Sequence, residues 1–543
     1  MSFCRAANLL GKHGPALLFG CALALPAAAA RSAQDSMMRE FQKTLPLAAG
    51  QTLSIENKFG EIRIHGENSH EAEISATIRS QAGSQSLAER FAESVKIEVN
   101  QDANGITVRT VAPSDNPLVF RIGHKNSYSV DYDITVPSEA KLWVKNAFGN
   151  VEIRGVRAWN DVENSHGKLT VRDVGASKLT NSFGAVEAED VAGDLTVVNS
   201  NGTVTVSAVK GDVDIKDRFG SITARNIQGS VTIVGGNGLV ELTDAGNAKV
   251  NNSFGPVNVR NIHGTLSVNN NNGAIEADTV SGTTDLNGSF GAITFSNING
   301  YVNCTASNGR VTGGPAGNDV FIRDSFGDVS LEQINGKVEV EDSNGTITVH
   351  EIKGSTTLNT SFGAIEASGL RKGVKATTGN GRISLTDMGG DAHAKTSFGA
   401  VMVTRVNGNL TIENSNGQVT ASSVKGDATA RTSFAAVTLD DISGNITVNN
   451  QNGAVMLTAA RTSAGCRNIS AKTSFAPIQV RLPENAGYVV TARTSFGRIN
   501  SELPITTSGQ VGGDSLTGKI GNGACTLSLT NTNGNIEILK LAK

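Results

Sequence analysis

The chain has 543 residues, of which 61 are glycine, while Phe, Tyr and Trp together make up 5%. Charged residues account for 18%, the formal net charge is -3 and the isoelectric point lies near 6.3. This balance excludes the strongly basic surface of a nucleic-acid-binding protein, and the composition also excludes a wholly disordered chain. Because large apolar residues are few, we expect one long, thin core of Val, Ala, Ile and Leu instead of several thick cores.

Residues 1–30 have the pattern of an export signal. Arg5 and Lys12 precede the apolar stretch from Pro15 to Leu25, which is too short for a permanent membrane anchor, and three alanines at 28–30 offer a cleavage site. The sequence has no later run of eighteen apolar residues. It therefore predicts an exported protein that lies in the periplasm, at the cell surface or outside the cell, with no transmembrane segment in the mature chain.

Residues 31–145 predict a β-rich region that caps the rest of the chain. Alternating apolar and polar residues on both sides of Phe59 indicate strands. The segment from about Ser86 to Ser94 indicates one short helix, with Leu87, Phe91 and Val95 on one side.

Residues 146–458 repeat. Ser-Phe-Gly or a close variant recurs every 35 or 36 residues, Asn-Gly lies midway between the copies, and further glycines reduce the spacing to nine. Each nine-residue unit alternates apolar and polar residues and then reaches a Gly, Asn, Asp or Ser turn, which predicts a short strand. The repeated positions are Phe148, Phe183, Phe219, Phe254, Phe290, Phe326, Phe362, Phe398 and Phe434, and Asn201, Asn237, Asn272, Asn308, Asn344, Asn380, Asn416 and Asn452.

Two architectures use short strands of this kind. Asn-Gly turns are typical of hairpins, which would give an antiparallel meander, whereas stacked coils would give a parallel β-solenoid, also called a β-helix. We favour the solenoid, because a long flat meander would leave its faces uncovered. Coils of 36 residues would need many large residues inside, so the small inward residues favour coils of about 18 residues, built from two nine-residue half-repeats. About seventeen such coils would form a rod of roughly 80 Å, with Phe and Asn alternating in one corner column.

Residues 459–543 predict an irregular β region that caps the other end. The Phe spacing changes there and several prolines appear. Atypical terminal repeats are what a solenoid needs to block its open strand edges. We interpret Cys304 as a buried thiol, while Cys466 and Cys525 either pair as a disulfide or are two further small core residues.

The sequence offers no motif for catalysis, a cofactor or a metal ion. Its histidines are scattered, and it lacks the Gly-Gly-x-Gly-x-Asp pattern of calcium-binding nonapeptide repeats. The acidic pairs Glu189-Asp190, Glu341-Asp342 and Asp440-Asp441 are interpreted as solvent-facing charge at strand ends, although Asp324 and Asp342 would stack in neighbouring coils. We therefore expect no catalytic, cofactor-binding or metal-binding residues, no cofactor and no enzymatic activity.

The two columns are the candidate binding features. The Phe column either wedges into the corner and covers the strand ends or forms an exposed apolar strip for a glycan, a lipid or a protein. The Asn column either forms a hydrogen-bonded ladder along the turns, as stacked amides do, or contacts carbohydrate hydroxyls. We favour the structural role for both columns.

Several segments resemble a known family. The stretch SIENKFGEIRIHG, the transition YDITVPSEAKLWVKNAFGNVEI, the serial G-x-V-x-V units and the terminal GNGACTLSLTNTNGNIEIL are similar to the bacterial putative-adhesin domain family. The resemblance covers most of the mature chain and implies an exported protein built of short tandem β repeats. It implies no functional residues.

The resulting hypothesis is a non-enzymatic, exported, adhesin-like or cell-envelope β-solenoid that presents a repetitive surface to a cell-surface glycan or an envelope protein. The alternatives are an exported polysaccharide-active β-helix enzyme and a self-assembling structural protein of the envelope. The sequence leaves the oligomeric state open.

Overall fold

The computed structural model describes residues 35–113, 127–460, 467–507 and 512–541. The predicted export signal and Cys466 lie outside these residues. The described chain is all-β with one short helix, and its strands form two long sheets that face each other.

Each coil of the rod contains one strand from each sheet. Leu195–Asn201 in the second sheet is followed by Val204–Val209 in the first sheet, and Leu195 then pairs with Val213 one coil later. The neighbouring strands of the repeat region pair in parallel at this spacing of about 18 residues. The structure therefore confirms the parallel solenoid with 18-residue coils over the antiparallel meander and the 36-residue coil.

The strands of the first sheet are Asp35–Pro46, Ile62–Glu67, Glu71–Ala82, Ser127–Pro137, Val151–Arg154, Leu169–Val174, Val186–Val191, Val204–Val209, Ile222–Ile227, Val240–Ala245, Val257–Ile262, Ile275–Val280, Ile293–Ile298, Val311–Gly313, Val329–Ile334, Ile347–Ile352, Ile365–Leu370, Ile383–Met388, Val401–Val406, Val419–Val424, Val437–Ile442, Val455–Ala459, Ile478–Leu482, Ile499–Ser501 and Ile536–Lys540.

The strands of the second sheet are Thr52–Phe59, Lys96–Asp102, Gly105–Val111, Lys141–Phe148, Asn160–His166, Ser177–Phe183, Leu195–Asn201, Val213–Asp217, Val231–Gly235, Ala248–Asn252, Leu266–Asn270, Thr284–Gly288, Val302–Ala306, Val320–Arg323, Val338–Glu341, Thr356–Asn359, Val374–Thr377, Ala392–Thr396, Leu410–Asn414, Ala428–Thr432, Ile446–Asn450, Ile469–Lys472, Tyr488–Arg493, Thr506–Thr507, Ser515–Ile520 and Cys525–Thr530.

The space between the sheets is one continuous, narrow core. Inward positions alternate with outward ones along each strand, as period-two side-chain geometry requires, and the inward residues are mainly Val, Ile, Leu and Ala. The buried cluster runs without interruption from Leu47 to Ile538. The glycine-rich, aromatic-poor composition is thus explained by a core only two side chains thick.

Two corners join the sheets in every regular coil. We call the corner that follows each second-sheet strand the aromatic corner, because it carries the repeated Phe and Asn residues. We call the other the Asx corner. At the Asx corner, Asp or Asn side chains accept backbone N–H groups one coil away; Ser230 N donates to Asp212 Oδ1 at 2.7 Å and Asp427 N to Asn409 Oδ1 at 2.9 Å.

Glycine at the aromatic corner allows the coils to approach. Gly202 has a φ of +132°, and a Cβ on it would collide with the carbonyl oxygen of Gly184 in the neighbouring coil. A side chain at this position would therefore crowd the neighbouring coil, which explains why glycine recurs here in all but two of these corners, those of Ala435 and Ala476.

The N-terminal end covers the first coil. Asp35–Pro46, Glu71–Ala82 and Ser127–Pro137 pair in antiparallel fashion, and the helix spans Gln85–Ser94 with Ser84 as its N-cap. The helix confirms the prediction to within one residue. Its buried residues are Ala88 and Ala92, however, and Leu87, which we expected on the same side as Phe91 and Val95, is exposed.

The C-terminal end places its coils out of chain order. Ile469–Lys472 pairs with Cys525–Thr530, and Cys525–Thr530 pairs in turn with Tyr488–Arg493. The last strands of the chain therefore lie between two coils that precede them in sequence. The antiparallel strand Ser515–Ile520 then covers Tyr488–Arg493.

Candidate binding edge

The repeated Phe and Asn residues form a single column along the aromatic corner. Phe183 pairs with Asn201 in register, and the backbone N–H of Asn272, one coil after Phe254, donates to Ser253 O at 3.0 Å. The same backbone bond recurs along the rod, for example from Phe434 to Ser415 O at 2.9 Å. The structure thus brings the sequence-predicted residues together, with Phe and Asn in alternate coils.

The column continues through the out-of-order coils at the C-terminal end. Asn533 N donates to Ser474 O at 2.7 Å, and Phe496 N donates to Thr532 O at 2.9 Å. The spatial order is therefore Asn452, Phe475, Asn533 and Phe496, which keeps the alternation although the sequence period is broken. We call the series Phe183 to Phe496, with its intervening Asn residues, the aromatic column.

The Phe rings of the aromatic column project into solvent. Their residue exposure ranges from 52% at Phe183 to 80% at Phe496, and most lie above 60%. The interpretation in which the rings wedge into the corner does not describe this geometry. Isolated exposed apolar residues are ordinary, whereas this edge repeats an exposed ring in every second coil.

Five of the Asn side chains of the column bond to the coil below them, and none in the described coils bonds to another Asn of the column. Asn344 Nδ2 donates to Ser325 O at 2.9 Å, and Asn272, Asn308 and Asn416 make the equivalent bond at 3.2 Å. These amides therefore lie along the base of the interval between two Phe rings. The predicted ladder of stacked amides is replaced by bonds from side chain to backbone.

A second, buried polar column closes the aromatic corner from inside. It lies two residues before most of the Phe and Asn residues of the corner; the exceptions are Gly235, Gly288 and Ala306. Its amides donate to glycine carbonyls of their own coil and of the previous one, and Asn414 Nδ2 reaches Gly399 O at 2.9 Å and Gly417 O at 2.7 Å. We call it the inner column. Its buried members include Asn146, Asn164, Asn181, Asn199, Asp217, Asn252, Asn270, Asp324, Asp342, Thr360, Thr378, Thr396, Asn414, Thr432, Asn450, Thr473, Thr494 and Asn531.

Sequence reasoning missed the inner column. Its signal was the recurring Asn, Asp or Thr that precedes Ser-Phe-Gly and Ser-Asn-Gly. Its bonds satisfy corner carbonyl groups that would otherwise be buried without a partner, which is a strong structural requirement. The inner column therefore holds most of these corners together from inside the coil.

Three members of the inner column are acids. Burial raises the pKa of Asp217, Asp324 and Asp342, and the nearby Asp342 carboxylate further raises the pKa of Asp324. Ser325 N and Ser343 N donate to Asp324 Oδ1 and Asp342 Oδ1 at 2.7 Å each. The expected stacking of Asp324 and Asp342 is present, but their interpretation as solvent-facing charge was wrong, because both are buried.

Among the other acidic candidates, Glu189, Asp190, Asp440 and Asp441 lie in strands of the first sheet, and Glu341 lies in a strand of the second sheet. Asp190 and Asp441 adopt a left-handed conformation with φ of 55°, which Asp and Asn tolerate better than most residues. Glu189 pairs with Arg172 at 2.6 Å, and Glu341 pairs with Arg323 at 3.1 Å. These acids connect neighbouring coils. In the described ranges no group of three or more His, Cys, Asp or Glu side chains could hold a metal ion.

The cysteines differ between the core and the C-terminal end. Cys304 is a buried free thiol, as predicted, and burial raises its pKa. Cys525 is disulfide-bonded, and Cys466, whose pairing with Cys525 the sequence leaves open, lies outside the described residues. Searching the described residues for a helix long and apolar enough to cross a membrane finds none.

Stacked rings at the N-terminal end show what fits between two Phe rings. Phe148, His166 and Phe183 occupy successive coils, with ring centroids 4.5 Å and 4.8 Å apart and interplanar angles of 15° and 14°. Phe59 stacks on Phe148 at 5.2 Å. One planar ring therefore fills the interval between two Phe residues in alternate coils, and from Asn201 onward this interval holds an Asn instead.

Comparisons with known proteins give structural neighbours only. No family model matches the chain, and no curated protein matches it. Similar solved structures include a putative cell adhesion protein from Clostridium sporogenes (11% identity, TM-score 0.17, covering 42% of this chain and 81% of that one). A second is a putative adhesin from Bacteroides fragilis (11% identity, TM-score 0.17, covering 61% of this chain and 97% of that one). A third is a putative adhesin from Parabacteroides distasonis (12% identity, TM-score 0.15, covering 57% of this chain and 96% of that one).

These likenesses are too low in identity and TM-score to say anything about ligand or function. The similar solved structures are of bacterial proteins described as putative adhesins or as a putative cell adhesion protein.

Proposed function

We propose that the chain is a non-enzymatic, exported, adhesin-like β-solenoid that binds a glycan or a protein along its aromatic column. The observation that supports this proposal is the exposed row of Phe rings, which keeps its two-coil spacing even where the C-terminal coils lie out of chain order. Closure of the corner does not account for this continuity, because the inner column closes most of the corners from inside.

The shape of the edge suits many weak, repeated contacts. Each Phe offers an apolar ring, and each intervening Asn offers an amide near the base of the interval. Repeated contacts along one rigid rod act together, so the overall avidity exceeds the affinity of a single contact. The polysaccharide-active alternative has no comparable support, since Glu189 and Glu341 pair with arginines of neighbouring coils and Asp324 and Asp342 are buried.

The test uses residues 31–543 as the mature chain. We expect binding on a glycan array or in a whole-cell adhesion assay, and reduced binding when Phe326, Phe362 and Phe398 are all replaced by Ser. A matched control replaces three exposed apolar residues that lie off the column, Val234, Tyr301 and Met402, by Ser.

Equal loss in both variants, or no binding by the unaltered chain in either assay, would contradict the proposal. Cleavage of a polysaccharide panel by the mature chain would contradict its non-enzymatic part.

A further inference from the structure

The intervals of the aromatic column have one dimension that a ligand must match. Neighbouring strands lie ~4.8 Å apart, so Phe residues in alternate coils are separated by ~9.6 Å. At Phe148 and Phe183 this interval is filled by the His166 ring, with nearly parallel ring planes and centroid distances of 4.5 Å and 4.8 Å. Nine later intervals, from Asn201 to Asn533, have the same spacing but only an Asn at their base.

The ring that fits such an interval is supplied by the column itself. A partner must present planar apolar rings at the same ~9.6 Å repeat to enter several intervals at once. A second copy of this chain has that repeat along its whole length. The two columns can therefore interdigitate, so that each Phe of one copy takes the place that His166 takes between Phe148 and Phe183.

The residues around the aromatic column allow a second copy of the chain to approach it closely. Ser precedes Phe in most coils, as at Ser361, Ser397 and Ser433, and small residues such as Ala364 and Ala400 follow the corner glycine. No large side chain at these positions would hold two copies apart. Charged side chains beside this edge are largely paired, since Lys395 pairs with Glu413 at 3.1 Å and Arg382 pairs with Glu366, which limits repulsion between identical edges.

The exposed area is sufficient for a stable pair. A Phe side chain can bury ~200 Å², so ten column rings that are mostly about 60% exposed offer roughly 1,200 Å² on each copy. A standard protein interface buries ~800 Å² on each partner. A two-fold axis perpendicular to the rod would use the same edge of both copies and would give a closed, antiparallel pair.

We infer that the aromatic column binds a second copy of this chain, with the Phe rings of two antiparallel rods interleaved. This inference rests on the proposed function, since it names the partner of the same edge. It makes adhesion homophilic: surfaces that carry the chain would adhere to one another through paired rods.

The decisive variant fills intervals without removing any ring. In Asn344→Phe/Asn380→Phe the new rings occupy two intervals as His166 does, which increases the apolar surface while blocking insertion. Interleaving predicts that dimerisation, measured by sedimentation velocity on the mature chain, weakens by about tenfold or more. General stickiness of the Phe row predicts the opposite, a stronger association.

Two further samples complete the test. The Phe326→Ser/Phe362→Ser/Phe398→Ser variant should also lose dimerisation, and the Val234→Ser/Tyr301→Ser/Met402→Ser control should keep it. Circular dichroism checks that each variant is folded. A mature chain that remains monomeric at its highest soluble concentration would overturn the inference, as would stronger association of the interval-filling variant.

Bead assays separate this inference from the proposed function. Beads coated with the mature chain should aggregate with one another, and the interval-filling variant should abolish this. If such beads do not aggregate but still bind a glycan or another cell surface through the Phe rings, the homophilic inference fails and the proposed function stands. If they aggregate and bind nothing else, the inference stands and binding to a different partner fails.

Discussion

Both corners of each coil need hydrogen-bond partners for backbone groups, but their outer surfaces differ. At the Asx corner the polar side chains bond to the backbone of the next coil, as Asp427 Oδ1 accepts Asn445 N at 2.8 Å. At the aromatic corner, buried residues such as Asn414 make the equivalent bonds to backbone carbonyl groups from inside the coil. The outside of that corner carries the exposed Phe rings, and under the proposed function this difference separates a structural corner from a binding edge.

The largest effect on stability is expected at the coil contact of the aromatic corner. In Gly363→Ala the new Cβ would collide with the carbonyl oxygen of Gly345 in the neighbouring coil. We expect the free energy of unfolding to fall by about 1–3 kcal/mol, as for other overpacked sites. Chemical denaturation measures this change.

The matched control for this variant is Gly83→Ala, where a Cβ would meet no atom within 4 Å. That substitution should change the free energy of unfolding by less than about 0.5 kcal/mol. Equal stability of the two variants would show that close coil contact does not fix the corner.

The next largest change in the free energy of unfolding is expected at the acids of the inner column. In Asp342→Asn the new amide can donate to Gly327 O and Gly345 O, as Asn414 does in its own coil. Among the described residues Asp342 Oδ2 has no hydrogen-bond partner, so we expect the variant to be more stable than the unaltered chain at neutral pH by about 1–2 kcal/mol.

The pH dependence of this gain has a defined sign. Burial raises the pKa of Asp342 in the folded chain, so the folded state binds the proton more tightly than the unfolded state does. Stability of the unaltered chain should therefore fall as pH rises from the unfolded pKa of about 3.9 through the raised folded pKa. A gain in Asp342→Asn that is equally large at acidic and neutral pH would contradict this explanation.

A smaller effect is expected at the Asx corner. Asp427→Ala removes the acceptor of Asn445 N, but water can replace it at this exposed site, so the free energy of unfolding should fall by about 0.5–1.5 kcal/mol. Hydrogen exchange at Asn445 should report the loss locally. Lys425→Ala, an exposed change at the same corner, is the control and should leave that exchange rate unchanged.

The sequence predicted the coil well, because its signals are local and repeated. The nine-residue glycine spacing and the alternation of residues such as Val204 and Val206 determine the strand, the turn and the inward face. The alternation of Phe and Asn along one corner follows from the same period. These features need no knowledge of distant contacts.

The features of the fold and of the candidate site that the sequence did not predict depend on contacts between residues that are distant in the chain or buried. Ring exposure at Phe326 depends on how Asp324 and its neighbours close the corner from inside, and the recurring polar residue two positions earlier was not recognised as a buried one. The C-terminal coil order depends on pairing between Ile469–Lys472 and Cys525–Thr530, which are far apart in sequence. Leu87 is exposed because the smaller Ala88 and Ala92 face the sheet.

The central claim is that the Phe rings of the aromatic column serve binding and not folding. Its most direct test measures surface binding and the midpoint of chemical unfolding on the same sample of Phe326→Ser/Phe362→Ser/Phe398→Ser. The account predicts that binding falls by at least about tenfold while the midpoint stays within error, since exposed side chains contribute little to stability. A lowered midpoint with unchanged binding would contradict it.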